Sequence, residues 1–302
     1  MTKPAEGQID LWGEKHEIFQ SALDRYGTWP ITVWPINMQD PSTKELKKAI
    51  GDDGEGRTDV GEGATTGRKM GASYHTSLGA RENNVSIFNP QIAANLLNMF
   101  AEPGGNVYDP FAGGGTRAIM AAKHGMSYWG TELRAVEVAL TNERLVKADA
   151  FGKAQVHAAD ARFGSATIAE QYPDQPWADF LITCPPYYDL EQYDGGVADL
   201  SMAPTYQHFL DMLGDVITDT LLVLRPGATV CWVVGLTRDK AGDLLALNHD
   251  VTRLHQERGF TLREEIILHV QNSGAIQRVG TFDKGNHRLV RVHEYALVFT
   301  AP

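Results

Sequence analysis

The sequence predicts an α/β domain built on a doubly wound, mostly parallel sheet with an antiparallel strand pair at one edge, and three observations predict it. From Phe88 onward, short apolar runs alternate with segments of helical spacing, the order produced by parallel strands joined through crossover helices. Acids close three successive strand-like runs, at Asp109, Glu132 and Asp160, and in open parallel sheets ligands lie at such carboxyl ends. The 302 residues are 43% hydrophobic and 22% charged, enough apolar side chain for a sizeable core, which excludes disordered, collagenous and coiled-coil chains.

Taken in order, residues 1–85 read as an amino-terminal extension and residues 86–302 as the main domain. In the extension, aromatics and prolines cluster between Tyr26 and Pro35, and Trp29 and Trp34 are expected to pack it onto the sheet, with nucleic-acid contact as the alternative. Pro41 to Ile50 has helical spacing, and Gly51 to Gly71 is glycine-rich and expected to be mobile unless a ligand or partner orders it. In the main domain, strands are expected at 106–109, 127–132, 154–160, 180–183 and 229–234, with helices at 117–124 and 135–148. A stripe of apolar residues makes 206–224 a helix that Arg225-Pro-Gly227 stops, and a further helix covers 247–258. Two last strands, 265–270 and 293–300, form the antiparallel edge pair, joined by a long basic connection.

Charge and cysteine usage narrow the function classes. A net charge of −11 argues against coating nucleic acid by overall positive charge, although two stretches, 64–81 and 266–293, are locally basic and could form a groove. A solvated loop face is the plain alternative for both. The two cysteines, Cys184 and Cys231, lie in apolar runs, so neither a disulfide framework nor a cysteine-rich zinc site is expected, and Cys231 reads as core. Ten histidines lack metal-ligand spacing, and His157, His269 and His293 read as structural groups; no metal is expected. No apolar run reaches the roughly 20 residues of a membrane span, and Met1 to Gly7 shows no secretory pattern, so a cytoplasmic protein is expected.

Two segments carry chemistry. Val107 to Thr116 is a strand ending in Asp109, followed by Pro110-Phe111-Ala112 and three glycines that let backbone approach a ligand closely. The spacing is neither the dinucleotide pattern nor a phosphate loop with its lysine, so a nucleoside-type cofactor fits better. Glu132 stands where an acid accepts hydrogen bonds from ribose hydroxyls. The second segment is Leu181 to Tyr187, in which Pro185 and Pro186 fix an extended backbone, remove two donors and leave carbonyls free, and Tyr187 offers a ring for a flat ligand. Taken singly, a tight glycine connection and a rigid proline turn with packed tyrosines are the plain alternatives for the two segments.

Together these segments resemble the DNA amino-methyltransferases: Asp109 to Thr116 is similar to their cofactor-binding motif I, and Thr183-Cys-Pro-Pro-Tyr187 to their motif IV. Ile87 to Leu97 resembles motif X, Glu132 the acid of motif II, Asp160 the acid of motif III, and Arg291 to Phe299 the late strand of the class. The resemblance implies a Rossmann-like methyltransferase fold over about residues 85–300, with S-adenosyl-L-methionine as cofactor. It implies cofactor contacts at Phe88, Asn89, Pro90, Asp109, Pro110, Phe111, Ala112, Gly113, Gly115, Thr116, Glu132, Leu133, Asp160 and Ala161. It implies catalysis by Cys184, Pro185, Pro186 and Tyr187 on an exocyclic amine of a base flipped from double-stranded DNA. The Pro185 carbonyl and the side chain at 184 would hold the amine hydrogens, and Tyr187 would stack on the base.

Position 184 is Cys where the family has Asp, Asn or Ser; a small neutral side chain resembles the Ser of cytosine-N4 enzymes, hence a lean to cytosine over adenine. A nucleophilic role for Cys184 is the alternative, although ring-carbon enzymes carry that cysteine after the prolines. Tyr188, Arg278, Lys284 and Arg288 are candidates for substrate contact, Asp189 and Tyr193 for the pocket mouth, and Asp194-Gly-Gly196 for a hinge. RNA or a modified base as substrate, or a binding subunit without turnover, are the rival readings. Asp109 and Glu132 are both expected to face the ligand, so that alanine at either weakens cofactor binding while the sheet stays folded.

Overall fold

The computed structural model describes residues 24–26, 28, 30–37, 88–173, 176–188, 195–271, 279 and 287–302. The helix expected at 41–50, the glycine-rich stretch 51–71, the basic stretch 64–81, Trp29, Asp189, Tyr193, Arg278 and Lys284 lie outside the described residues.

The chain lays down β1 (Val33–Asn37), α1 (Pro90–Phe100), β2 (Asn106–Asp109), α2 (Thr116–Lys123), β3 (Ser127–Glu132), α3 (Ala135–Lys147), β4 (Ala154–Ala158), α4 (Gly164–Gln171) and β5 (Ala178–Thr183). It continues through α5 (Tyr206–Thr220), β6 (Leu224–Val234), a short hairpin of β7 (Thr237–Arg238) and β8 (Leu244–Leu245), α6 (Leu247–Gln256), β9 (Thr261–Gln271) and β10 (His293–Thr300). Eight strands form one sheet in the order β1-β9-β10-β6-β5-β2-β3-β4, and β10 is antiparallel to both of its neighbours. The chain leaves β2 outward to β3 and β4 and then returns to β5 on the other side of β2. The β2–β5 boundary is therefore the switch point, where ligands bind in open α/β sheets.

Each face of the sheet has its own core. One face packs Ile92, Leu96 and Leu97 of α1, Ile119 and Met120 of α2 and Leu145 of α3 on Val107, Phe180 and Ile182. The other packs Ile168 of α4, Phe209, Leu213 and Ile217 of α5 and Val251 of α6 on Leu181, Trp232 and Phe299. At the centre of the second core lies His255, its ring parallel to Phe299 at 4.2 Å and its Nδ1 2.8 Å from the Val251 carbonyl; burial pushes its pKa down to about 3.

Three features differ from the sequence expectation. The antiparallel pair β9–β10 is present, but β1 adds to β9 in parallel and takes the edge, with Trp34 fully buried against Phe100. Trp34 thus packs, as expected, and residues 33–37 are part of the main sheet. The helix expected to run to 224 ends at Thr220, because the Val223 carbonyl is taken by the N–H groups of Trp177 and Ala178 and Leu224 already pairs with Ala178 in the sheet. Helix α1 carries its own start signal, with Asn89 accepting from the Gln91 N–H at 2.8 Å and Pro90 in the first turn.

Candidate active site

The glycine turn after β2 and the proline turn after β5 stand side by side at the switch point, because β2 and β5 are hydrogen-bonded neighbours. A shared carboxylate joins them. Asp109 Oδ1 accepts from the Phe111 N–H at 3.0 Å and from the Thr183 hydroxyl at 2.6 Å, and Oδ2 accepts from Arg117 Nε at 2.6 Å and the Tyr128 hydroxyl at 2.7 Å. Asp109 is 0% exposed and Arg117 4%. Burial opposes the Arg117 charge, but Asp109, Tyr128 and Cys184 around it hold its pKa above the usual arginine value. Burial, then the Asp109 charge, pushes the Tyr128 phenol well up, so it stays a neutral donor.

This corrects the expectation for Asp109: it faces the interior and organises the turn instead of facing a ligand. Arg117, which the sequence reading did not single out, is the group that completes it. Its Nη2 also donates to the Phe111 carbonyl at 2.5 Å, and its guanidinium lies 4.6 Å from the Phe88 ring centre. An arginine one position into a helix that is otherwise apolar was the available signal, since such a charge needs a buried partner.

The glycine turn has a tied back. The carbonyls of Pro110, Gly113 and Gly114 accept from Thr131 at 2.9 Å, Thr141 at 2.9 Å and Arg144 at 3.0 Å, and the Ala112 carbonyl accepts from the Gly115 N–H at 3.2 Å. Gly113 and Gly115 have φ of 51° and 79°, values that favour glycine. A methyl group at Gly115 would strike Thr141 at 2.5 Å, whereas one at Gly113 would find nothing nearer than 3.9 Å. The turn is therefore packed against α3 behind and open at Gly113. Ala112 and Thr116 are buried in its base, and Phe111 meets the edge of Trp232 at 6.3 Å between ring centres.

Beside this opening, Glu132 ends β3. Its carboxylate receives the Arg134 N–H at 3.0 Å, and burial, only partly offset by the Arg134 and Gly113 N–H groups, raises its pKa. Leu133 is covered by Gly195, whose own N–H bonds the buried Asp199 at 3.0 Å; Asp199 also accepts from the Ser201 N–H and hydroxyl. The segment returning from the proline turn is thus pinned over the β3 end, which was not legible in the sequence. Asp160, past the end of β4, holds Arg162 at 2.6 Å, and Ala161 is buried next to it. Phe88 sits over Arg117, while Asn89 and Pro90 serve the start of α1.

In the proline turn, Cys184 is partly buried and touches both cores; its Sγ lies 3.2 Å from the Tyr187 hydroxyl. Tyr187 is 4% exposed, and its ring lies on Gly235, where a methyl group would come within 2.6 Å of it. Tyr188 follows with φ of 58°, a strained value for a tyrosine, and packs against Tyr206 and Phe209 at 5.4 and 5.6 Å. Of the basic connection, Arg288 donates to the Ala241 carbonyl at 3.2 Å and Arg291 to the Leu236 carbonyl at 2.6 Å, so both clamp the chain that follows β6. His157 stacks on Trp129 at 4.2 Å, and His293 approaches the Tyr295 hydroxyl at 3.2 Å. Cys231 is fully buried in β6.

No helix of the described residues is long and apolar enough to cross a membrane. A search of curated proteins finds no relative. Among solved structures, the chain is similar to TrmN from Thermus thermophilus, at 20% identity and TM-score 0.48, over 71% of this chain and 49% of that one, so it spans about half the length of that protein. It is similar also to SMU.776 complexed with SAH, at 14% identity and TM-score 0.49 over 71% and 50%. A TehB-like SAM-dependent methyltransferase from Corynebacterium glutamicum matches at 13% identity and TM-score 0.43 over 70% and 87%. Residues 11–143 match the N6/N4 methyltransferase family model, described as DNA methylase. Over those residues, less than half of the chain, the sequence is thus similar to the N4/N6 amino-methyltransferases.

Proposed function

We propose that the chain methylates the exocyclic amine of a base flipped out of double-stranded DNA, with cytosine N4 favoured over adenine N6. The observation that carries this reading is the bond between the two turns, Thr183 to Asp109 at 2.6 Å, which sets a cofactor-type turn and a Pro-Pro-Tyr turn at one switch point.

The residues present fit an adenosyl cofactor. The turn is tied back through its carbonyls and open at Gly113, and Glu132 is a carboxylate at the end of the adjacent strand, suited to ribose hydroxyls. Leu133 and Asp160 would flank the adenine. S-adenosylmethionine, when bound, supplies an electrophilic methyl group on a sulfonium. The chain's contribution is to present an amine whose lone pair is delocalised into its ring. The Pro185 carbonyl and Cys184 Sγ would accept the amine hydrogens, turning the nitrogen lone pair toward the methyl carbon; as the N–C bond formed, the C–S bond would break to leave a neutral thioether, and one amine proton would pass to solvent. Tyr187, fixed on Gly235, would stack on the base. Because Cys184 is small and uncharged it stands closer to Ser than to Asp, which favours cytosine. Tyr188, Arg278, Lys284 and Arg288 belong to the DNA-facing side of this reading.

The test is nucleoside mass spectrometry of DNA and RNA from cells expressing the protein or its C184A/Y187A double variant. N4-methylcytosine in DNA, lost in the variant, is expected; N6-methyladenine would keep the class and change the base. Methylation confined to RNA would replace the substrate. Cofactor binding with no methylation of either would make the chain a binding subunit.

A further inference from the structure

Asp109 holds together more than its own turn. One of its oxygens takes the Phe111 N–H of the glycine turn and the hydroxyl of Thr183, the residue before Cys184. The other takes Arg117, whose guanidinium also grips the Phe111 carbonyl and lies over Phe88. The donors sit on different segments: the glycine turn, the start of α2, the start of β3 and the end of β5. A rigid, buried carboxylate with donors from four directions transmits displacement, since close-packed interiors shift between discrete arrangements and do not deform freely. Of the four donors, Thr183 alone belongs to the proline turn. With its hydroxyl removed, Asp109 keeps Arg117, Tyr128 and Phe111, so the fold and the glycine turn stay intact while the link between turns is cut.

We propose that Thr183 is a positioning residue that couples occupancy of the glycine turn to the placement of Cys184 and Tyr187. Thr183 does not touch the reacting atoms; it sets where the acceptors of the proline turn stand relative to the methyl donor. The inference rests on the functional reading above, and the experiment separates the two. Thr183→Val keeps the branched shape and loses the hydroxyl, and Thr183→Ser restores it.

The first readout is alkylation of Cys184 by iodoacetamide in the full chain, with and without saturating S-adenosylmethionine; Cys231, at 0% exposure, supplies little background. The cofactor should change the Cys184 rate about fivefold or more in the wild type and in Thr183→Ser, and less than about twofold in Thr183→Val. The second readout is methyl transfer to unmethylated DNA. Thr183→Val should lose about 10- to 100-fold in kcat, with the KM for S-adenosylmethionine within about threefold of wild type. An unchanged cofactor response in Thr183→Val, or a Thr183→Ser variant as impaired as the valine, would overturn the coupling. A wild type that transfers no methyl to DNA would overturn the functional reading instead, and the alkylation readout still decides the coupling.

Discussion

Asp109 and Glu132 look alike in the sequence, each the last residue of a strand beside a turn, yet the structure gives them different surroundings. Asp109 ends β2 at 0% exposure with four hydrogen bonds and an arginine partner. Glu132 ends the neighbouring strand with its side chain 14% exposed, two backbone donors, Arg134 Nε at 3.7 Å and a pKa raised by burial. A carboxylate surrounded by donors is part of the scaffold. One whose partners do not make up for its desolvation carries a cost that a ligand's hydroxyl groups can offset. The difference teaches that, in this sheet, the strand end closed by a neighbouring turn is scaffold, and the more open one is where the proposed function puts the cofactor.

The comparison can be broken most easily at Asp109. Replacing it with alanine leaves Arg117 as an uncompensated buried charge and should cost about 3–5 kcal/mol in denaturant unfolding. A stable Asp109→Ala protein that had merely lost cofactor affinity would return Asp109 to the ligand. His255 provides an internal gauge of stability away from both strand ends. Its pKa in the folded chain is about 3 against about 6.5 when unfolded, so the unfolded state binds the proton first as pH falls. Stability should therefore drop by up to about 1.4 kcal/mol per pH unit between pH 6.5 and 3, a slope that His255→Phe flattens in pH-dependent melts.

Glu132→Gln sharpens the contrast. Because the raised pKa means that the ionised form is disfavoured in the fold, its stability contribution is lost as pH rises through that pKa. Removing the charge should leave thermal stability at neutral pH equal or higher. Calorimetry with S-adenosylmethionine should show affinity about 10- to 100-fold weaker, the worth of hydrogen bonds to a charged group. A large loss of stability would make Glu132 a second scaffold acid. The smallest expected effect is at Gly235→Ala. The added methyl pushes on the Tyr187 ring and should lower kcat by about tenfold while cofactor affinity holds.

Much of this was legible in the sequence. Alternation of strands and helices gave the sheet, and each of the two turns was legible as the end of a buried strand; that β2 and β5 are neighbours comes from the structure. Capping chemistry at Asn89-Pro90 could have placed α1 as well. What stayed hidden depends on long-range contacts. The carboxylate of Asp109 reads as a ligand group until Thr183, 74 residues later, is seen to donate to it. Arg117 was not singled out because its partner, Asp109, is met only in the fold, and Trp34 extends the sheet through a pairing with Leu268 that no local pattern encodes. Arg288 reads as one cation of the basic connection, and its hydrogen bond to the Ala241 carbonyl is again a contact between segments far apart in the chain.

The central claim is that the glycine turn and the proline turn serve one site. Hydrogen exchange with and without S-adenosylhomocysteine tests it most directly, with Thr183, Cys184, Tyr187 and Tyr188 as amide reporters in the proline turn. Protection in both 109–117 and 183–188 is predicted, and protection confined to 109–117, or appearing instead at the amino ends of the strands, would contradict it.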